Sequence, residues 1–224
     1  MTIGASRTAD ELGRAFAGTR VILSDGERPV LRVGADPALV VATRGAEPLA
    51  DGGYRAVLLL DGERMLLRES LRVAEDCLRW WSNASALAAP GAPVFLVGVA
   101  GALATALTTW RQADWARDEL ASRRALRFPP AVRVASVTAQ RALVARALDA
   151  VQAVDGVDVL GPAPTDDDLE RAVVRFDYGA GAAVARELRA EMIRAATERR
   201  RPVAGRPVRR PPVLRVRFDD PEVP

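Results

Sequence analysis

RRALRFPPAVRVAS, residues 123–136, is where the chain changes character. Arg123, Arg124 and Arg127 close a charged helical pattern, Pro129 and Pro130 follow, and an alternating stretch begins at Ala131. Proline has no N–H to donate and drives the residue before it toward extended geometry. The pair therefore predicts an abrupt helix stop and the launch of a strand. In the helix that precedes it, running from Trp110, Glu119 and Arg123 stand four apart in the favourable order and are expected to pair on the surface.

Downstream, residues 131–138 read as a strand, and Leu143, Val144, Ala147, Leu148 and Val151 as one helix face. A strand at 157–160 follows, then a chain turn at Gly161-Pro162, a strand in ERAVVRFDY (170–178) and a helix marked by Val184, Leu188 and Met192. In PVLRVRF (212–218), Leu214, Val216 and Phe218 face one way while Val213, Arg215 and Arg217 face the other. The order β-α-β-β-α-β predicts an α+β, ferredoxin-like unit: four antiparallel strands backed by two helices, with one face partly open.

Upstream, a helix is expected near Arg7–Phe16, a β-rich run in VILSD (21–25), and strands in ALVVAT (38–43), RAVLLLDG (55–62) and PVFLVG (93–98), short apolar runs suited to burial on both faces. Leu67, Leu71, Ala74, Leu78 and Trp81 recur at helical spacing, and small residues from Ala102 to Leu107 suggest a further helix. Strands separated by helices imply a parallel α/β sheet. The expected organisation is therefore residues 1–110, a connecting basic helix and Pro-Pro hinge at 111–130, and residues 131–224.

Composition removes several chemistries. The 224 residues are 49% apolar and contain no histidine, which excludes Ser-His-Asp catalysis and histidine metal sites. All 32 basic residues are arginine, so neither a P-loop lysine nor a lysine Schiff base exists. The single Cys77 falls in a helical pattern and reads as a buried thiol. Asp166–Asp168 reads as a solvated hairpin tip, with nothing else converging to hold a metal. There is no span of eighteen apolar residues and no basic-then-apolar leader pattern, so a cytoplasmic location and no membrane partner are expected. Net charge is only +3, so basic character matters where it concentrates, and eight arginines with no acidic residue lie between Arg199 and Arg217.

Three segments carry a family resemblance: ELASRRALRFPP (119–130), VLGPAP (159–164) and the closing FDDPEVP (218–224). They resemble the C-terminal part of the primosomal protein N′ (PriA) family of replication restart factors, in its actinobacterial, helicase-inactive form. RTADELGRAF (7–16), VVATRGAEP (40–48) and LLLDGERMLLRESLRVAEDCLRW (58–80) resemble that family's second, RecA-like helicase lobe. The resemblance implies a degenerate lobe followed by the ferredoxin-like domain.

Two departures qualify what is carried over. Helicase-competent relatives have a Q-x-x-G-R-x-G-R pattern after the lobe's long helix, and here that segment is SNASALAAPGAP (82–93), with neither glutamine nor arginine. Without those cations ATP hydrolysis is not expected. The family's N-terminal DNA-binding domain, first lobe and zinc-binding cysteines have no counterpart, so the chain reads as a fragment, a truncated gene or a late start, and neither zinc nor ATP is expected as a cofactor here.

The expected function is binding of forked or single-stranded DNA at stalled forks, through Arg123, Arg124, Arg127, Arg206, Arg209, Arg210, Arg215 and Arg217. Guanidinium groups contact phosphates without reading sequence. A solvated, salt-bridged surface accounts for the same arginines equally well. Phe176, Tyr178 and Phe218 read as core residues and not as stacking platforms. The alternative is a scaffold docking primosome or single-strand-binding proteins, to which Trp80 and Trp81 would contribute, and an active helicase is the remaining reading.

Overall fold

The computed structural model describes residues 3–165, 168–198 and 213–220. The chain divides into two compact units, Met1–Trp115 and Ala116–Pro224. The division falls inside a helix, and Pro129 and Pro130 lie within the second unit.

The first unit contains helix α1 (Ile3–Ala15), strands β1 (Arg20–Ser24), β2 (Arg32–Val33), β3 (Ala38–Ala42), β4 (Leu49–Ala50) and β5 (Val57–Leu59), then helices α2 (Gly62–Leu66) and α3 (Val73–Ser85). Strand β6 (Val94–Leu96) and helix α4 (Gly101–Thr108) follow, and α5 (Gln112–Leu126) crosses the division. The strands pair in parallel as β1 with β3, β2 with β4 and β5 with β6. Parallel pairing agrees with the sequence reading, but the single continuous sheet does not form among the described residues.

Nor are the strands buried on both faces: Leu58 is 60% and Phe95 53% exposed, although Leu59 beside them is buried. Helices α3 and α4 supply the core residues Cys77, Leu78, Trp81, Ala84, Ala106 and Leu107 beneath that one face. The helix expected through Leu67–Trp81 is also interrupted, because α2 ends at Leu66 and α3 starts at Val73. The Ser70 hydroxyl accepts the Arg72 N–H at 3.2 Å, a local bond that competes with helical pairing, and Leu67 is left 76% exposed.

The second unit continues with β7 (Arg133–Ala139), α6 (Arg141–Gln152), β8 (Val157–Pro164), β9 (Glu170–Phe176), α7 (Gly181–Glu198) and β10 (Arg215–Phe218). All neighbours are antiparallel in the order β10-β7-β9-β8. Alternation decides which side is core: Ala135, Val137, Ala139, Ala172, Val174 and Phe176 point into a cluster with Val144, Val151, Val184 and Leu188 of α6 and α7. Leu214 joins that cluster and Val216 and Phe218 pack against it, as their alternation predicts.

Gly161-Pro162 does not turn the chain. Strand β8 runs on to Pro164, with a register shift between Leu160 and Ala163 that absorbs the glycine at φ 93°. A Cβ there would stand 3.2 Å from both the Ala163 nitrogen and the Arg171 carbonyl oxygen, so glycine fits the bulge and a larger residue does not. Asp168 is exposed between β8 and β9, where the Thr165 N–H donates to Leu169 O at 2.8 Å, while Asp166 and Asp167 lie outside the described residues. Among the described residues no helix is long and apolar enough to cross a membrane.

Candidate nucleic-acid interface

Helix α5 ends before the prolines act. Arg127 adopts a left-handed φ of 54°, the Phe128 N–H donates to Arg123 O at 2.8 Å, and the Arg127 N–H donates to Arg124 O at 3.3 Å. This pair of bonds is the Schellman closure, in which the left-handed residue is usually glycine. Arg127 holds the position with its side chain, which donates to Gly156 O at 3.3 Å and pairs with Asp177 at 3.3 Å. The helix stop is thus made by the cap, ahead of the point at which the prolines would enforce it.

The three arginines of this stretch consequently do not form one helix face. Arg123 is 5% exposed: its Nε donates to Glu119 at 2.8 Å and its NH1 donates to Pro129 O at 3.1 Å. The expected pairing with Glu119 exists, but inside the unit and not on its surface, so Arg123 is a structural cation and leaves the candidate set. Arg127 is half-buried and committed to Gly156 and Asp177. Arg124 is exposed and makes no ion pair among the described residues.

Strand β10 presents Arg215 and Arg217 outward, opposite Thr138 and Ser136 of β7. Both are exposed, on the face opposite the helices. Arg206, Arg209 and Arg210 lie outside the described residues.

The same face carries two arginines not anticipated from the sequence, Arg171 and Arg175 of β9. The signal was present in ERAVVRF, whose alternate positions are Arg171, Val173 and Arg175. Arg171 donates to Asp220 at 3.1 Å, and the Ser136 hydroxyl donates to the same carboxylate at 2.7 Å, leaving Asp220 only 7% exposed. Arg133 forms a two-pronged pair with the adjacent Asp219. Two consecutive acids after β10 therefore fasten the edge strand to its neighbours. Arg175 donates to Asp158 and, at 3.3 Å, to Leu126 O at the end of α5. Its hydrogen bond holds the Asp158 carboxyl below the usual carboxylate range.

Residues 124–222 match the family model of the primosomal protein N C-terminal domain. Those residues belong to that family. Its four-stranded sheet thus carries Arg215 and Arg217 on an edge strand within the matched primosomal domain. The chain is similar to the probable replication restart proteins PriA of Mycobacterium leprae, 45% identical over 179 residues, and of Mycobacterium tuberculosis, 44% identical over 170 residues. These alignments cover 78% and 72% of this chain but 27% and 26% of the relatives, so the chain spans about a quarter of their length.

In the first unit, Trp81 is core at 3% exposure and Trp80 is partly buried beneath Arg44, so neither indole of the pair stands free as a docking anchor. Burial raises the Cys77 thiol above its ordinary pKa, consistent with the inert role read from sequence. Segment 82–93 begins in α3, where the Ser82 hydroxyl donates to Leu78 O at 2.7 Å and accepts from Gln112 at 3.1 Å. No group of three metal-ligating side chains occurs among the described residues.

Proposed function

We propose that this chain is a DNA-binding part of the replication restart machinery that contacts the backbone of forked or single-stranded DNA without ATP-driven unwinding. The observation that carries the reading is the outward projection of Arg215 and Arg217 from an edge strand pinned by Asp219 and Asp220. Arg124, and the arginine-rich stretch containing Arg206, Arg209 and Arg210, extend the basic character. Mycobacterial relatives named as restart proteins support the same reading.

In this reading the second unit is the ferredoxin-like βαββαβ domain and the first a degenerate second helicase lobe, supported by its parallel strand pairs and interleaved helices. No ATPase activity is proposed, because residues 82–93 offer no cation to a transferring phosphoryl group. Zinc and ATP are accordingly not proposed as cofactors of this chain.

The test is a salt series of binding to forked and single-stranded DNA. Each phosphate contact removed by Arg215→Ala or Arg217→Ala should flatten the slope of log K against log salt by about one. Loss of slope on Arg206→Ala, Arg209→Ala and Arg210→Ala would extend the surface. Absence of binding at low salt overturns the reading.

A scaffold role for primosome or single-strand-binding proteins is favoured by one separate observation, the exposed apolar outer face of the β5–β6 ladder at Leu58 and Phe95. Pull-down of those proteins that is lost on Leu58→Ser and Phe95→Ser would support it.

A further inference from the structure

Arg44 follows β3, and its guanidinium carbon lies 4.3 Å from the centroid of the Trp80 ring on α3. The arginine is exposed and the tryptophan partly buried against the core of the first unit. Most cations of this chain that have a close partner have a carboxylate: Arg7 pairs with Glu11, Arg32 with Asp51, Arg79 with Asp76, Arg111 with Asp114. Arg44 has none among the described residues, and its close neighbour is a π face. The other cation over aromatic rings, Arg133, is committed to Asp219, and its rings Phe176 and Phe218 belong to or pack on the core of the second unit.

A guanidinium laid on an indole is restrained on one side and open on the other. Its plane accepts a second flat partner by stacking, and its edge keeps N–H donors for an anion. A nucleobase is such a partner only when its faces are not already stacked in a duplex, which selects single strands. Arg68, also exposed, acts electrostatically on the same Cys77 thiol as Arg44 does, and so does the carboxylate of Asp76, which is paired with Arg79.

We propose that Arg44, backed by Trp80, is a stacking site for an unpaired base of single-stranded DNA. It extends the DNA-binding reading above to the first unit, where none of the eight arginines expected from sequence lies. The stack would be sequence-tolerant, since every base has a π face, and it would favour single strands over duplex.

The experiment uses the full chain with an oligothymidylate carrying one 5-iodo-deoxyuridine, and a matched duplex. Ultraviolet crosslinking should join the halogenated base to the Arg44–Trp80 neighbourhood, located by peptide mass spectrometry. Arg44→Ala should weaken single-strand binding about tenfold, as loss of one stacked base does, while duplex binding is unchanged. Arg44→Lys keeps the charge and loses the plane, so it should resemble Arg44→Ala. Because Arg44 is exposed, neither variant disturbs the core, and Trp80→Phe should retain most of the binding.

Wild-type-like single-strand affinity in Arg44→Lys, or crosslinks confined to the second unit, overturns the stacking site while leaving DNA binding intact. If the unsubstituted chain binds neither DNA, the broader reading has failed and this one with it.

Discussion

Arg123, Arg124 and Arg127 sit within five residues of one another and play three different parts. Arg123 is sealed in with Glu119 and the Pro129 carbonyl, Arg127 closes the helix, and Arg124 faces solvent. Removing Arg123 would leave the Pro129 oxygen and Glu119 without their donor, at a cost of about 2 kcal/mol. Arg123→Ala should therefore lower the urea midpoint while the salt slope of DNA binding stays as it was. An altered slope at unaltered stability would return Arg123 to the interface.

Asp158 behaves as a small pH sensor of the same region. Its folded-state pKa is depressed by Arg175, so its contribution to stability is present above the unfolded pKa and is lost as pH falls through the folded one. Stability measured from neutral pH downward should decline as the pH passes below the ordinary carboxylate range. Asp158→Asn should be less stable at neutral pH and show a shallower decline. The carboxylate is close to half exposed, with its side chain at 45%, so the effect is modest.

Among the elements, β8 departs from the sequence reading and β10 follows it. A turn at Gly161-Pro162 would have ended β8; the bulge keeps it paired with β9 through Pro164, with Ala163 opposite Arg171. Gly161→Ala must place a Cβ 3.2 Å from two backbone atoms at φ 93°, which costs about 1–3 kcal/mol. Chemical denaturation should register that loss, and a neutral result would mean the bulge rearranges. Strand β10 has only four residues, and its position relies on Asp219 and Asp220 as well as on its ladder with β7. The alternation of Arg215 and Arg217 was legible because period two is a local property. The acids that fasten the strand were not, since Ser136 and Arg171 are 84 and 49 residues away from Asp220.

Considered whole, the chain distributes its burial unevenly. The second unit has a core in which Val137, Val144, Val151, Val174, Phe176, Val184 and Leu188 are fully buried. In the first unit the described strands form two-stranded ladders, and every residue of β3 is only partly buried. Isolated two-stranded ladders are marginal in water. Hydrogen exchange should therefore show the amides of β7 and β9 protected at least about tenfold more than those of β1, β3, β5 and β6. Equal protection in both sets would indicate that the first unit is stabilised by packing beyond these ladders.

The sequence by itself determined the order of helices and strands in the second unit, the side of each strand that meets the core, and the outward direction of Arg215 and Arg217. These follow from periodicity, which the backbone imposes on any strand or helix. Residues 1–115 were less legible because short apolar runs mark strands without saying how many will join one sheet. The fate of each individual arginine was decided only by tertiary structure. Arg123, Arg171 and Arg175 differ from Arg124 and Arg215 in what comes within 3.5 Å of them: a carbonyl or carboxylate brought near by chain folding engages the guanidinium. Composition marks where positive charge is available, and only packing determines how much of it is left facing solvent.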